Sequence, residues 1–145
     1  GIFSEIFCNY FLNSEASVCE LDDSMCEKYL NRKFKNVYSC DFVDMPPKKF
    51  DVLIMIDVLE HFDNLQVLKN KILDLGFKYL VLQVPFERPI TLEKEKKFHH
   101  HFHMFSKESI NSLFKDKFKM SYWTSTKHGF SAKGPEQIAV FELRE

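Results

Sequence analysis

Residues 48–62, with the sequence KKFDVLIMIDVLEHF, decide the fold of this chain. The apolar run Val52–Ile56 has no alternation with polar residues, which is typical of a strand buried on both faces. Polar side chains follow immediately, with Asp57, Glu60 and His61 set around two apolar residues. Because open α/β sheets bind ligands beyond the carboxyl ends of their strands, this stretch predicts a ligand site.

The bulk composition favours one ordinary globular domain covering residues 1–145. The hydrophobic content is 45% and the net charge is −1, so no charge excess predicts a nucleic-acid or membrane partner. No apolar run approaches the roughly 20 residues that span a bilayer, and no signal peptide is visible. The four cysteines form no CxxC pair and are interpreted as buried reduced thiols, which predicts a cytoplasmic protein.

Helical and strand patterns alternate along most of the chain. Amphipathic helices are predicted for residues 2–13, 24–34, 64–75 and 107–116. Buried strands are predicted at 16–21, 36–42, 51–57 and 78–86, and the strands 118–127 and 137–143 close the chain. The pattern predicts an α/β fold, with a mainly parallel, doubly wound sheet and an antiparallel C-terminal strand pair at one edge.

Three of the predicted strands end in an acid. Glu20, Asp41 and Asp57 each follow a buried run, where an unpaired carboxylate would be costly. Carboxyl ends of parallel strands share one edge of the sheet, so we expect the three acids to converge around a single cleft.

At this point the chain resembles the class I S-adenosylmethionine-dependent methyltransferases, in particular the group that includes quinone-biosynthesis O-methyltransferases. The segment FDVLIMIDVLEHF (50–62) resembles that family's fourth strand and the loop after it, and YLVLQVP (79–85) resembles the fifth strand. The segment HFHMFSKESINSLF (101–114) is similar to the family's later His-x-x-x-Phe-Ser/Thr segment. The resemblance implies a transferase that moves a methyl group from S-adenosyl-L-methionine to a small-molecule acceptor.

The resemblance also implies which residues contact the cofactor. The acid that binds the ribose hydroxyls is Glu20 or Asp22; counting along the next helix favours Glu20, because Met25 then falls at an inward position. The other implied cofactor contacts lie around the adenine ring and the methionine part: Asp41, the Phe42 backbone, Asp57, Leu59 and Gly1.

Two histidines are the candidate general bases, His61 just beyond the fourth strand and His101 in the later loop. The run FHHHFH at 98–103 also suggests a metal site, but no cysteine or carboxylate accompanies it at ligand spacing. We therefore predict no metal ligands.

The family's Gly-rich loop and first strand have no counterpart, since the sequence starts at Gly1 with a segment that resembles the following helix. Gly1 is either the last glycine of that loop or a remnant of a tag, and we expect a fragment of a methyltransferase. Without the first strand, residues 16–21 either pair directly with 51–57 or leave edges that join two copies in a homodimer; the apolar edge favours the homodimer.

Two functions of different classes stay open. The first is the methyltransferase, supported by Glu20, Asp41 and Asp57. The second is a non-catalytic α/β interaction module that has lost the cofactor site, supported by the missing Gly-rich loop. The sequence does not identify the methyl acceptor, since the variable loops at 87–104 and 127–136 would line its pocket.

Overall fold

The computed structural model describes residues 14–28, 30–32, 34–85, 100–126 and 136–144. Two compact units divide the chain, Gly1–Pro47 and Lys48–Glu145, and each is described by itself. The helix predicted at 2–13, including Gly1, lies outside the described residues, as does most of each variable loop.

The first unit is a strand–helix–strand unit. Strand β1 (Ser17–Glu20) and strand β2 (Asn36–Ser39) are parallel, with Glu20 opposite Ser39. Helix α1 (Asp23–Lys28) and a 3-10 turn (Leu30–Arg32) connect them. Both strands were predicted, and the helix is shorter than its apolar pattern indicated.

The inward face predicted for α1 is wrong. The side chain of Met25 is 41% exposed, whereas Cys26 is buried, as is Leu30 in the following 3-10 turn. Tyr29 lies outside the described residues. Helix α1 has only six residues, fewer than two full turns, so a period counted over 24–34 does not fix which of its side chains face inward.

The second unit contains a four-stranded sheet with two α-helices in the described residues. Its elements are strand β3 (Val52–Ile56), a 3-10 turn (Leu59–His61), helix α2 (Leu65–Asp74), strand β4 (Tyr79–Pro85), helix α3 (Lys107–Phe114), strand β5 (Phe118–Thr126) and strand β6 (Glu136–Leu143).

The strand order of this sheet is β3-β4-β6-β5. Strands β3 and β4 are parallel neighbours, as predicted, while β6 runs antiparallel to both β4 and β5. The antiparallel pair therefore lies beyond β4 at one edge of the sheet. The α/β class is confirmed. The β1–β2 ladder is parallel, but the four-stranded sheet is mixed, with one parallel and two antiparallel ladders, where a mainly parallel sheet was predicted.

Helix α2 has the boundaries that its sequence indicates. The Asn64 side chain accepts hydrogen bonds from the backbone N–H groups of Gln66 and Val67 and so caps the amino end. Gly76 follows the last turn with φ of +57°, a left-handed conformation that glycine adopts without a Cβ penalty. The predicted apolar stripe is buried at Leu68, Ile72 and Leu75.

Helix α3 begins where the sequence predicted. Ser106 and Ser109 exchange hydrogen bonds between side chain and backbone in a reciprocal capping box. Phe114 at its other end is fully buried and lies edge-on to the ring of Phe141 from β6, with 5.4 Å between ring centroids. Such aromatic pairs belong to the hydrophobic core, as predicted for the Phe-rich segments.

Within each unit, β1 has β2 as a ladder partner and β3 has β4. The direct pairing of residues 16–21 with 51–57 considered from the sequence stays a prediction. Within the described part of the chain, no helix is long and apolar enough to cross a membrane.

Candidate functional site

Glu20 is the last residue of β1, with a half-buried side chain. Its Oε1 accepts the backbone N–H of Asp22 at 3.1 Å, which turns the chain at the end of the strand. A carboxylate has two oxygens and about four acceptor positions, so this one bond does not exhaust its capacity. The position and the chemistry both suit a group that accepts hydrogen bonds from hydroxyls.

Asp22, the competing acid, caps helix α1. Its Oδ1 accepts the backbone N–H groups of Ser24 at 2.8 Å and Met25 at 3.3 Å. Hydrogen bonds from Ser24 and then Met25 hold the pKa of Asp22 below its ordinary value. The structure thus separates the two acids by role, with Asp22 at the helix start, where the sequence placed it as the alternative to Glu20.

Asp41 follows β2 and begins a 3-10 turn, Phe42–Asp44. Its Oδ1 accepts the backbone N–H of Val43 at 3.1 Å, and both Asp41 and Phe42 are half-buried. Because β1 and β2 are parallel with Glu20 opposite Ser39, the acids at their ends lie on the same edge of this small sheet. The predicted neighbourhood of these two acids is therefore present in the first unit.

A cysteine directly precedes each of these acids, Cys19 before Glu20 and Cys40 before Asp41. The Cys19 thiol donates a hydrogen bond to the backbone carbonyl of Cys40, with 3.5 Å between the heavy atoms. Burial, followed by the neighbouring Cys40, raises the pKa of Cys19 to about 12. Its thiol is therefore protonated at neutral pH, consistent with the reduced, structural cysteines predicted from the sequence.

Asp57 adopts an unusual backbone conformation directly after β3. Its φ is +51°, in the left-handed region that few non-glycine residues adopt, and its N–H donates to the carbonyl of Gln83 on β4 at 3.0 Å. Such conformations persist only where the surroundings hold them in place, and they are common at ligand sites. The unusual φ of Asp57 therefore supports a functional position at the end of β3.

Leu59, also predicted to border the cofactor, is fully buried. It opens the 3-10 turn Leu59–His61, whose last residue returns to the surface. A ligand at this edge can therefore meet the backbone of Leu59 but not its side chain.

The rings of His61 and His101 are in contact, although the two residues are 40 positions apart in the sequence. The sequence alone could not predict this contact between the two histidines. Their ring centroids are 4.8 Å apart and the rings are nearly perpendicular. Burial, with the charge of His101 second, lowers the pKa of His61, while a backbone contact from His100 and the charge of Asp57 oppose this shift.

Two contacts hold the segment that carries His101. The backbone N–H of Phe102 donates to the carbonyl of Glu60 at 2.7 Å, and the Nε2 of His103 lies 3.2 Å from the carbonyl oxygen of Asp63. Both partners belong to the turn after β3 or to the residues just beyond it. The position of His101 beside His61 thus results from fixed backbone contacts.

Glu60 was noted in the sequence as a polar residue after β3, but its grouping with the two histidines was not predicted. Its side chain is fully buried, and its carboxylate belongs to a group with His61 and His101 whose ligand atoms all lie within 4.8 Å of one another. The sequence argument against a metal was that no carboxylate accompanies the histidine run at ligand spacing, but the fold brings in the carboxylate of Glu60, which is about 40 residues earlier in the sequence. A charged residue inside a 3-10 turn, next to a predicted site histidine, was the available signal.

A groove of about 980 Å³ lies elsewhere, at the amino end of β3 and β4. Asp51, Lys78 and Arg144 are among the residues that line it. We give it no functional weight, because ligands of open α/β sheets bind at the opposite, carboxyl end.

The structure therefore brings the predicted residues together in two groups. Glu20, Asp41 and Phe42 share an edge in the first unit. In the second unit, Asp57 contributes to the pKa of His61, which contacts His101. Convergence of the two groups around one cleft stays a prediction.

Comparison with solved structures identifies the fold. The N-methyltransferase NodS from Bradyrhizobium japonicum WM9, in complex with S-adenosyl-L-homocysteine, aligns with a TM-score of 0.67 at 13% identity, covering 90% of this chain and 67% of that chain. Magnesium protoporphyrin IX methyltransferase (ChlM) from Synechocystis PCC 6803, with the same compound bound, aligns with a TM-score of 0.65 at 12% identity. The alignment covers 99% of this chain and 82% of that chain. A SAM-dependent methyltransferase from Archaeoglobus fulgidus aligns with a TM-score of 0.66 at 16% identity. The alignment covers 97% of this chain and 80% of that chain.

The chain has the class I methyltransferase fold. The resemblance stated from the sequence is thereby confirmed at the level of the fold. No protein-family model matches the chain, and no curated protein matches its sequence. At these low identities the methyltransferase fold fixes the architecture but not the substrate.

Proposed function

We propose that this chain binds S-adenosyl-L-methionine and transfers its methyl group to a small-molecule acceptor. The observation that carries the proposal is the placement of acids at the carboxyl ends of β1, β2 and β3, in a fold whose solved members include complexes with S-adenosyl-L-homocysteine. The left-handed Asp57 adds support, because a non-glycine residue at φ +51° indicates a constrained site.

In the proposed complex, the first unit holds the adenosine part. Glu20 accepts hydrogen bonds from the ribose hydroxyls, Asp41 accepts one from the adenine amino group, and the Phe42 N–H donates to a ring nitrogen. The carboxylates at these positions fit this task, since each has acceptor positions beyond its one described bond with the backbone.

The methionine part lies against Asp57 and the backbone of Leu59, with Gly1 as a further contact. The bound cofactor supplies an electrophilic methyl group, so the protein mainly orients the acceptor and excludes water. His61 or His101 is the candidate general base for the proton that the acceptor loses.

We further propose that two copies associate through strand edges. Among the described strands, β3 has β4 as its ladder partner, and its apolar sequence suits edge pairing with a second copy. Sedimentation at micromolar concentration checks this: a species of twice the chain mass is expected, and a clean 17.3 kDa monomer contradicts the dimer.

Calorimetric titration with S-adenosyl-L-homocysteine tests the proposed function. The wild-type chain is expected to bind in a one-to-one ratio, with folding verified by circular dichroism. A folded chain that shows no binding contradicts the methyltransferase and leaves the non-catalytic interaction module.

The Asp57→Asn variant sharpens the test, because asparagine tolerates the left-handed backbone and removes only the charge. This variant should weaken the binding of S-adenosyl-L-homocysteine by about 1.5–3 kcal/mol, the value of a hydrogen bond to a charged group. Binding of methylthioadenosine, which lacks the amino-acid part, should not change. Equal losses for both compounds would place Asp57 away from the methionine end.

A further inference from the structure

The second unit contains a group of side chains of metal-ligating type that the proposed cofactor contacts do not use. Glu60 supplies a carboxylate, and His61 and His101 supply imidazoles, with their ligand atoms within 4.8 Å of one another. Three protein ligands around one divalent ion, each at about 2.0–2.2 Å, would lie about 3–3.5 Å apart. A small adjustment of side-chain torsions therefore brings the three into contact with a single ion.

We propose that Glu60, His61 and His101 bind one divalent transition-metal ion of the Zn²⁺ type. Two imidazoles and one carboxylate form a donor set that suits Zn²⁺, Co²⁺ and Fe²⁺, whereas Mg²⁺ and Ca²⁺ prefer sites made entirely of oxygen ligands. Three protein ligands also leave a coordination position for water or a substrate oxygen.

The backbone holds this arrangement before any ion enters. Phe102 donates its N–H to the Glu60 carbonyl, so the residue after His101 is fixed to the residue before His61. His103, two residues after His101, contacts the carbonyl of Asp63, two residues after His61. These two links align the turn after β3 with the segment 100–103, and the ligands lie between the two links.

Burial differs across the group in a way that suits an ion with one open side. Glu60 is fully buried, His101 is half-buried and His61 is exposed. The carboxylate thus lies on the protein side, and solvent reaches the site past His61. A cation beside a fully buried carboxylate also compensates a charge that is expensive to remove from water.

This inference stands apart from the proposed function, because the three ligands lie within the second unit and none is assigned to S-adenosyl-L-methionine. An ion bound to the ring nitrogens would exclude the role of these histidines as general bases. In that state, an oxygen ligand of the ion would lose its proton more easily, as metal-bound water does.

The test is a calorimetric titration of the metal-stripped full chain with Zn²⁺, repeated with Co²⁺ and Mg²⁺. One Zn²⁺ per chain is expected, Co²⁺ should bind and develop a visible ligand-field spectrum, and Mg²⁺ should not compete. Zn²⁺ affinity should fall by at least about 10-fold in each of three variants, His61→Ala, His101→Ala and Glu60→Gln. Even changes to residues that only support the ligands lower metal affinity by about 10–100-fold.

His100→Asn is the matched control. It removes a neighbouring imidazole but keeps a residue that tolerates the φ of +55° at this position, so Zn²⁺ affinity should not change. Binding of Zn²⁺ by the histidine run at 98–103 alone is the competing explanation. The variants His61→Ala and Glu60→Gln lie outside that run, so a loss of Zn²⁺ affinity in either variant shows that the turn after β3 takes part. Unchanged affinity in folded His61→Ala contradicts the proposal, and so does preferential binding of Mg²⁺. His61 is exposed, so this variant remains informative even where the substitution of buried Glu60 prevents folding.

S-adenosyl-L-homocysteine binding in His61→Ala separates this inference from the proposed function. If His61→Ala loses Zn²⁺ binding but still binds S-adenosyl-L-homocysteine, the metal site is supported as a site separate from the cofactor site. Retained Zn²⁺ binding in a wild-type chain that does not bind S-adenosyl-L-homocysteine overturns the methyltransferase proposal but not the metal site.

Discussion

The two sheets of this chain differ in what supports them. In the first unit, every residue of β1 and β2 keeps some solvent exposure, and these strands end in acids. In the second unit, β4 is buried along most of its length, and fully buried phenylalanines pack beneath the sheet. A two-stranded sheet is marginal in isolation, whereas a four-stranded sheet packed by helices supports itself. The comparison indicates that stability resides mainly in the second unit, while the groups proposed to bind adenosine lie in the weaker first unit.

The largest expected effect compares the same substitution in both units. Leu82→Ala, at a fully buried position of β4, should lower the free energy of unfolding by about 2–5 kcal/mol. Leu30→Ala, in the first unit, should cost less, because its surroundings can collapse more easily around the lost volume. Urea denaturation followed by circular dichroism measures both. Equal losses would show that the two units share one cooperative core.

A smaller effect compares the caps of the two regions. Ser106→Ala removes the capping box of α3 and should lower the free energy of unfolding by about 1 kcal/mol. Asp22→Ala removes the cap of the short helix α1, and global stability should fall less, since the first unit opens locally before the whole chain unfolds. Thermal unfolding of both variants provides the measurement. A larger loss for Asp22→Ala would reverse the order of stability.

The smallest effect concerns thiol chemistry in the first unit. A Cys19 pKa of about 12 leaves almost no thiolate at pH 7.5, so alkylation by iodoacetamide should be far slower than for an unstructured cysteine. Peptide mapping after timed labelling, with urea-unfolded protein as the control, measures the rate at each cysteine. Rapid labelling of Cys19 under native conditions would mean that the first unit opens readily.

Much of the fold was predictable because local signals agreed. The continuous apolar run Val52–Ile56, the cap Ser106 and the glycine after α2 each indicated an element that the structure contains. The short helix α1 was harder, because six residues are fewer than two turns, and a period counted over the longer predicted helix misassigns Met25. Strand direction in the mixed sheet also depends on tertiary pairing and not on local pattern.

The candidate site was predictable only in part. Acids at strand ends follow from the sequence, since alternation of buried and polar residues marks where each strand stops. The group formed by Glu60, His61 and His101 was not predictable from the sequence. It depends on a backbone hydrogen bond between residues 60 and 102 that no local pattern encodes. The capping role of Asp22, by contrast, is a local feature and matched its position before the helix.

The most direct test of the central claim measures the affinity of S-adenosyl-L-homocysteine for wild type, Glu20→Ala and Asp22→Asn. Asparagine caps helices as well as aspartate does, so Asp22→Asn keeps α1 intact and serves as the matched control. Glu20→Ala should raise the dissociation constant about 10- to 150-fold, corresponding to about 1.5–3 kcal/mol, with no change for Asp22→Asn. An unchanged dissociation constant for Glu20→Ala, in a chain that binds the compound, would contradict the assignment of Glu20 and of the first-unit edge as the adenosine site.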